Sequence, residues 1–164
     1  MKRNMIFTLF LLTGMLCACT KGGDIDSLAG DNYTIQGAAD TKQLVPAANG
    51  TAAATFSGIY STDANVLTFT LGWTGLWTTA ATDVITGISF YGPAAAGTNG
   101  TLARTISYVN STSFTGTVSL SLSGNNGLTA AQREDLLAGK WYYLVCTQKF
   151  PGGIVRGQLG VLKQ

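Results

Sequence analysis

Residues 52–74 read AAATFSGIYSTDANVLTFTLGWT: two β-type runs around one tight-turn signal, Asp63-Ala64-Asn65. β-branched and aromatic side chains crowd residues 52–60 and 66–74, as suits a pleated, half-buried surface. Asp and Asn between them favour the turn. The same texture extends in both directions from this pair. Short β-type runs occupy 33–37, 84–91, 102–109, 114–122, 142–147 and 154–161, separated by Gly, Asn, Asp and Pro. Many short strands at this spacing predict an antiparallel sandwich or Greek-key barrel. One helix is predicted among them. Thr129-Ala130-Ala131-Gln132 reads as a capping box, Leu128, Leu136 and Leu137 supply an apolar side, and Gly139 takes the C′ position. Glu134 and Asp135 are expected near the helix start, where they would suit its dipole.

Composition narrows the function classes. The chain has 164 residues, 46% apolar and only 11% charged, against about 25% charged in typical soluble domains. That is one domain's worth of chain with a real core. A net charge of +2, without a basic cluster beyond the N-terminus, offers nucleic acid nothing to grip. The sequence contains no His, so the commonest general base and the commonest metal ligand are both missing. No Ser-His-Asp or Cys-His pair, S-x-x-K or G-x-S-x-G elbow can be assembled. Carboxylates are few and scattered, and the neighbours Glu134 and Asp135 point in different directions on a helix. The expectation is therefore a non-enzyme that uses no cofactor and no metal.

The N-terminus reads as an address. Lys2 and Arg3 precede an apolar run at residues 5–16, too short to span a bilayer comfortably and without a polar face. Leu16-Cys17-Ala18-Cys19 resembles the bacterial lipobox. The resemblance implies cleavage after Ala18, a thioether-linked diacylglycerol on Cys19 and acylation of the new amine. Residues 1–18 would then be a lipoprotein signal peptide. The mature chain loses Lys2 and Arg3, leaving eight basic against eight acidic residues. Thr20 rather than Asp follows Cys19, which in Gram-negative bacteria favours the outer membrane. The expected location is thus the cell outer membrane, held by lipid and not crossing it. Residues 19–32 read as the lipidated Cys and a flexible tether, with the domain at 33–164. Asp26-Ser27-Leu28 resembles an O-glycosylation site used by some Gram-negative gut bacteria, with modification at Ser27, and reads equally well as a plain linker turn. With Cys17 removed and Cys19 acylated, Cys146 has no intramolecular disulfide partner.

Residues 128–160 read LTAAQREDLLAGKWYYLVCTQKFPGGIVRGQLG. Leu136-Leu137-Ala138-Gly139, Tyr142, Val145, Thr147, Pro151-Gly152-Gly153 and Arg156-Gly157-Gln158-Leu159 resemble the end of the CHRD (chordin) domain. Ile88-Ser89-Phe90-Tyr91-Gly92-Pro93, with Gly97 and Asn99-Gly100, is similar to that family's H-I-H-G-P-A-x-x-G-x-N-G segment. Val45-Pro46, 50–57 and 67–76 also follow it, so the likeness covers nearly everything from Tyr33. The implied architecture is an all-β antiparallel sandwich or Greek-key barrel, immunoglobulin-like or superoxide-dismutase-like, with one short helix.

Departures from the family pattern carry equal weight. The two His of H-I-H are Ser89 and Tyr91 here, the His of V-H-T is Cys146, and the Glu of G-G-E-I-R is Ile154. Four polar positions have become neutral or apolar together, which predicts that they are neighbours in space. Arg156 is expected to pack its stem and bond backbone carbonyls, ligand recognition being its other role. Trp73, Trp77, Trp141, Tyr142 and Tyr143 are expected to fill core, a stacking platform for sugars or protein being the alternative. The reading that follows is a membrane-anchored envelope module contacting protein or glycan. The competing reading is a degenerate metal- or redox-active sandwich that keeps an enzyme activity.

Overall fold

The computed structural model describes residues 30–77, 82–111, 115–123 and 127–164; the leader, Cys19 and Ser27 lie outside these. Among the described residues, nine strands and one helix follow in the order β1 (Asn32–Asp40), β2 (Ala53–Ser61), β3 (Val66–Thr74), β4 (Ile85–Tyr91), β5 (Leu102–Asn110), β6 (Gly116–Leu122), α1 (Ala130–Leu137), β7 (Tyr142–Thr147), β8 (Val155–Gln158) and β9 (Gly160–Lys163). Every pairing is antiparallel, in the order β5-β4-β7-β8-β1-β2-β3-β6, with β9 also on β1. The domain is therefore all-β, a nearly closed barrel with one short helix.

Residues 154–161, expected as one strand, are two. The chain breaks at Leu159, a core residue whose amide donates to the Trp141 carbonyl at 2.9 Å. Before the break, β8 pairs with β7; after it, β9 pairs with β1 from Tyr33 to Gln36. Between β8 and β1 themselves one pair remains, Asp40 with Arg156. The bend carries the chain from one half of the barrel to the other.

The thin β8–β1 junction explains two glycines. A Cβ on Gly157 would lie 2.6 Å from the Tyr143 ring and 2.8 Å from the Ala38 carbonyl. One on Gly37 would lie 2.7 Å from the Gln158 carbonyl. The Tyr143 ring fills this space, and its hydroxyl donates to the Gly37 carbonyl at 3.1 Å, supplying a bond the ladder lacks there. Gly37, read from sequence as the end of a strand, is a close-approach position inside one, and β1 runs on to Asp40.

The two halves meet over aromatic rings. Phe56 and Phe69 stack at 4.5 Å, and Phe90 meets both edge-on, at 6.0 and 5.7 Å. Tyr143 and Trp141 extend the cluster on the β7 side. Trp73, Trp77, Trp141 and Tyr143 are buried in the core, as expected, and Tyr142 is buried in a separate cluster, so none offers an exposed stacking platform.

The edges β5 and β6 do not pair with each other. Trp73 and Tyr108 touch across this side at 6.0 Å. Segment 127–137 ties down one end: Gln132 donates to the Ala103 carbonyl, Arg104 donates to the Gly127 carbonyl, and Asn65 donates to the Leu128 carbonyl. The helix has its capping box at Thr129 and Gln132, its buried Leu136, and Gly139 at φ +68 after the cap. Glu134 and Asp135 fall beyond the first turn, so the dipole role expected of them is not realised. Asp135 instead lies 4.0 Å from Lys140.

Asp83 fixes the entry to β4 against the β7–β8 turn, accepting from the Val84 amide at 2.8 Å and the Lys149 amide at 3.1 Å. Burial pushes its pKa up, but these amides and the Thr147 side chain outweigh burial and hold it below the usual carboxylate value. At the other end, residues 30–32 are already fixed to the barrel. The Gly30 amide donates to Asp63, the Asp31 carbonyl accepts from Thr62, and Asn32 opens β1. Residues 30–32, just before the Tyr33 boundary expected from sequence, thus contact the barrel.

Candidate functional site

Strand alternation sends Ile88, Phe90, Tyr143, Val145 and Val155 into the barrel. It sends Ser89 and Tyr91 on β4, Tyr142, Leu144 and Cys146 on β7, and Arg156 and Gln158 on β8 to the outer side. This outer face is not solvent-exposed. The loops at 41–50 and 92–100 fold over it, so Ala94, Tyr142, Leu144 and Cys146 form a second buried cluster with Leu44 and Tyr91 packed against it.

Cys146 donates to the Ser89 hydroxyl at 3.7 Å, and Ser89 lies 3.3 Å from the Thr105 hydroxyl. Burial pushes the Cys146 thiol up, with the Ser89 contact opposing it. A buried thiol held protonated is a poor nucleophile. Tyr91 stacks on Tyr142 at 5.3 Å with 7° between the rings. Burial, with Cys146 and Tyr142 beside it, raises the Tyr91 pKa. Ser89, Tyr91 and Cys146 are therefore neighbours, as the sequence predicted. Ile154 is not with them. Its amide donates to Val145, the residue that also pairs with Val155, and its side chain joins the barrel core. Two residues facing one partner break the strand alternation here, and Ile154 does not join the three as expected.

Arg156 is the charged residue of this face and is 2% exposed. Its guanidinium lies over the Tyr142 ring, 3.8 Å from the centroid, and Nη2 donates to the Thr98 carbonyl at 2.6 Å. The expected carbonyl bond is thus present, and it pins the 92–100 loop to β8. Nη1 has no partner. Asp40 stands opposite in register, but its Oδ1 accepts from the Lys42 and Gln43 amides, and it makes no ion pair with Arg156. Among the described residues the ion pairs are Lys140–Asp135 and Lys163–Asp31, so the buried guanidinium has no carboxylate. Burial pushes its pKa down, though arginine remains charged at neutral pH.

Gln158 lies on the same side of β8, two residues on. Its Nε2 donates to the Ala94 and Gly139 carbonyls, and its Oε1 has no partner among the described residues. Arg156 and Gln158 form the floor of a cleft of about 400 Å³ between loop 42–47 and residues 96–97. Leu44, Val45, Pro46, Ala47 and Ala96 give it apolar walls, Lys42 adds a second cation, and no carboxylate lines it. Sequence reasoning reached Arg156 but missed this cleft. Its signal was present: Val45-Pro46, Gly97, Arg156 and Gln158, all quoted for the family likeness, converge on it.

The CHRD domain family model matches residues 28–159. The chain belongs to the CHRD domain family. The match ends at Leu159, the residue where β8 gives way to β9, so β9 lies beyond the matched residues. No match was found among curated proteins or solved structures.

Proposed function

We propose that this CHRD protein is a lipid-anchored module of the cell envelope, held in the outer membrane through Cys19, that binds a protein or glycan and performs no catalysis. The anchoring part is supported by the lipobox-like Leu16-Cys17-Ala18-Cys19 behind a basic, apolar leader. Two or three acyl chains hold a protein stably where one does not, at about 0.8 kcal/mol per buried CH₂. The binding part is carried by the cleft with the half-committed Arg156 in its floor. A guanidinium that uses Nη2 to brace a loop and leaves Nη1 unpaired suits recognition of a polar partner. The non-catalytic part rests on the outer cluster itself, where Ser89 and Cys146 pair with each other and the thiol is held protonated.

The competing metal-enzyme reading makes an opposite prediction. With no His in the chain and one Cys among the described residues, a zinc or copper site lacks its usual nitrogen and sulfur ligands. Elemental analysis of the full chain, purified without a polyhistidine tag, is expected to find zinc and copper far below stoichiometric. One equivalent of either metal, lost in Cys146→Ala, would restore the enzyme reading.

A further inference from the structure

We propose that the cleft over β8 takes an N-acylated α-amino carboxylate, the chemistry of a peptide C-terminus or of a free acylamino acid. The proposal rests on the binding reading above and assigns it a ligand class and an atom-level site.

The floor carries two unsatisfied groups of opposite character. Arg156 Nη1 is a buried cationic donor without an acceptor, and Gln158 Oε1 is a buried acceptor without a donor. Leaving either unpaired costs about 1–3 kcal/mol, more for the charged group. The two residues are on one side of one strand, about 6.6 Å apart along it. A carboxylate supplies the acceptor and the missing counter-charge for Nη1, and the adjacent amide N–H supplies the donor for Oε1. Leu44, Val45 and Pro46 provide an apolar wall for a small side chain. A volume of about 400 Å³ lies at the small end of ligand pockets, which matches one or two residues of peptide.

Phosphate fits less well. It needs several converging donors, whereas Nη2 already donates to the Thr98 carbonyl and the unpaired guanidinium nitrogen is Nη1, beside the Lys42 ammonium. A neutral sugar leaves the guanidinium without a counter-charge.

Entry requires loop 42–47 to move outward, since Nη1 is covered. The ends of the loop are held by short bonds, the Lys42 and Gln43 amides to Asp40 at 2.8 and 2.9 Å and the Ala48 amide to the Thr41 carbonyl at 3.0 Å. Its contacts over the cleft are long: Gln158 amide to Gln43 Oε1, Asn99 Nδ2 to the Val45 carbonyl, and Leu44 amide to the Thr41 carbonyl are each 3.4 Å. Bonds of that length are weak. The opposite wall is firmer, braced by the 2.6 Å bond from Arg156 to Thr98.

The test is calorimetric titration of the full chain in detergent with N-acetyl-L-alanine, N-acetyl-L-alaninamide and N-acetyl-trialanine. The carboxylates are expected to bind saturably and the amide at least about tenfold more weakly, the equivalent of about 1.4 kcal/mol. Tighter binding of the tripeptide marks a peptide terminus as the source; equal binding marks the free acylamino acid. Arg156→Lys keeps the charge but not the fork, and is expected to lose about tenfold or more. Because a change at a buried Arg can impair folding, Val45→Trp at the exposed rim is the second variant. It is expected to abolish binding with the melting temperature unchanged. Equal affinity for amide and carboxylate, or undiminished binding by folded Val45→Trp, overturns the site. Failure of all three probes overturns the ligand class alone, because the binding reading has its own in-cell test.

Discussion

Phe90→Ala is expected to cost about 3–5 kcal/mol of folding stability, roughly a fifth or more of the total of about 5–15 kcal/mol that a domain has. Phe90 is fully buried and meets Phe56 on β2, Phe69 on β3 and Trp141 beside β7, at 6.0, 5.7 and 6.2 Å. Its ring therefore joins the β4–β7 half of the barrel to the β2–β3 half. Those halves share little ladder, since β8 and β1 exchange one pair and β5 and β6 none. A cavity at this position removes packing that no backbone hydrogen bond replaces. Urea unfolding should show a much lower midpoint with an unchanged slope. Val109→Ala, at a side chain 73% exposed, should stay within about 0.5 kcal/mol of the parent. A loss under about 1 kcal/mol for Phe90→Ala would contradict a barrel closed by ring packing.

Cys19→Ala should move the protein from the membrane fraction to the soluble fraction almost completely. Cys19 is the acylation position offered by the lipobox, and each acyl chain of about fourteen carbons already gives marginal binding by itself. Loss of every chain removes the whole anchor. In cells fed labelled palmitate, the parent should carry label and partition into detergent, while Cys19→Ala carries none. A Cys19→Ala protein that stays membrane-bound and is still cut after Ala18 would refute lipid anchoring.

Much of the fold was legible because β texture and turn chemistry are local. The Asp63–Asn65 turn, the Thr129 capping box and the Gly139 cap were each readable from a few adjacent residues, and Asn65 does take the left-handed conformation at φ +50. What escaped depends on contacts distant in sequence. Gly37 reads as a strand end until Tyr143 and the Gln158 backbone are seen pressing on it. The break at Leu159 follows from β8 and β9 pairing with different halves of the barrel, which no pattern within GQLG announces. Ile154 fails by one residue of irregularity, enough to turn a side chain from the outer face to the core.

The site was half legible for the same reason. Joint departure of Ser89, Tyr91 and Cys146 from the family pattern gave the proximity of three outer-face positions. The cleft beside them needs two loops brought over β8 from 42–47 and 96–97, and its character comes from atoms left unpaired. Residue types alone do not show which nitrogen of an arginine is used.

Site-specific photocrosslinking in living cells tests the binding claim most directly. A benzophenone amino acid is placed at Val45, 39% exposed on the cleft rim, and in a separate strain at Val109 on the far β5 edge. The expected result is a discrete crosslinked species from position 45 in the membrane fraction, absent from position 109 and lost when Arg156→Lys is added. No species from position 45, or the same species from both positions, would contradict a binding module that works through this cleft.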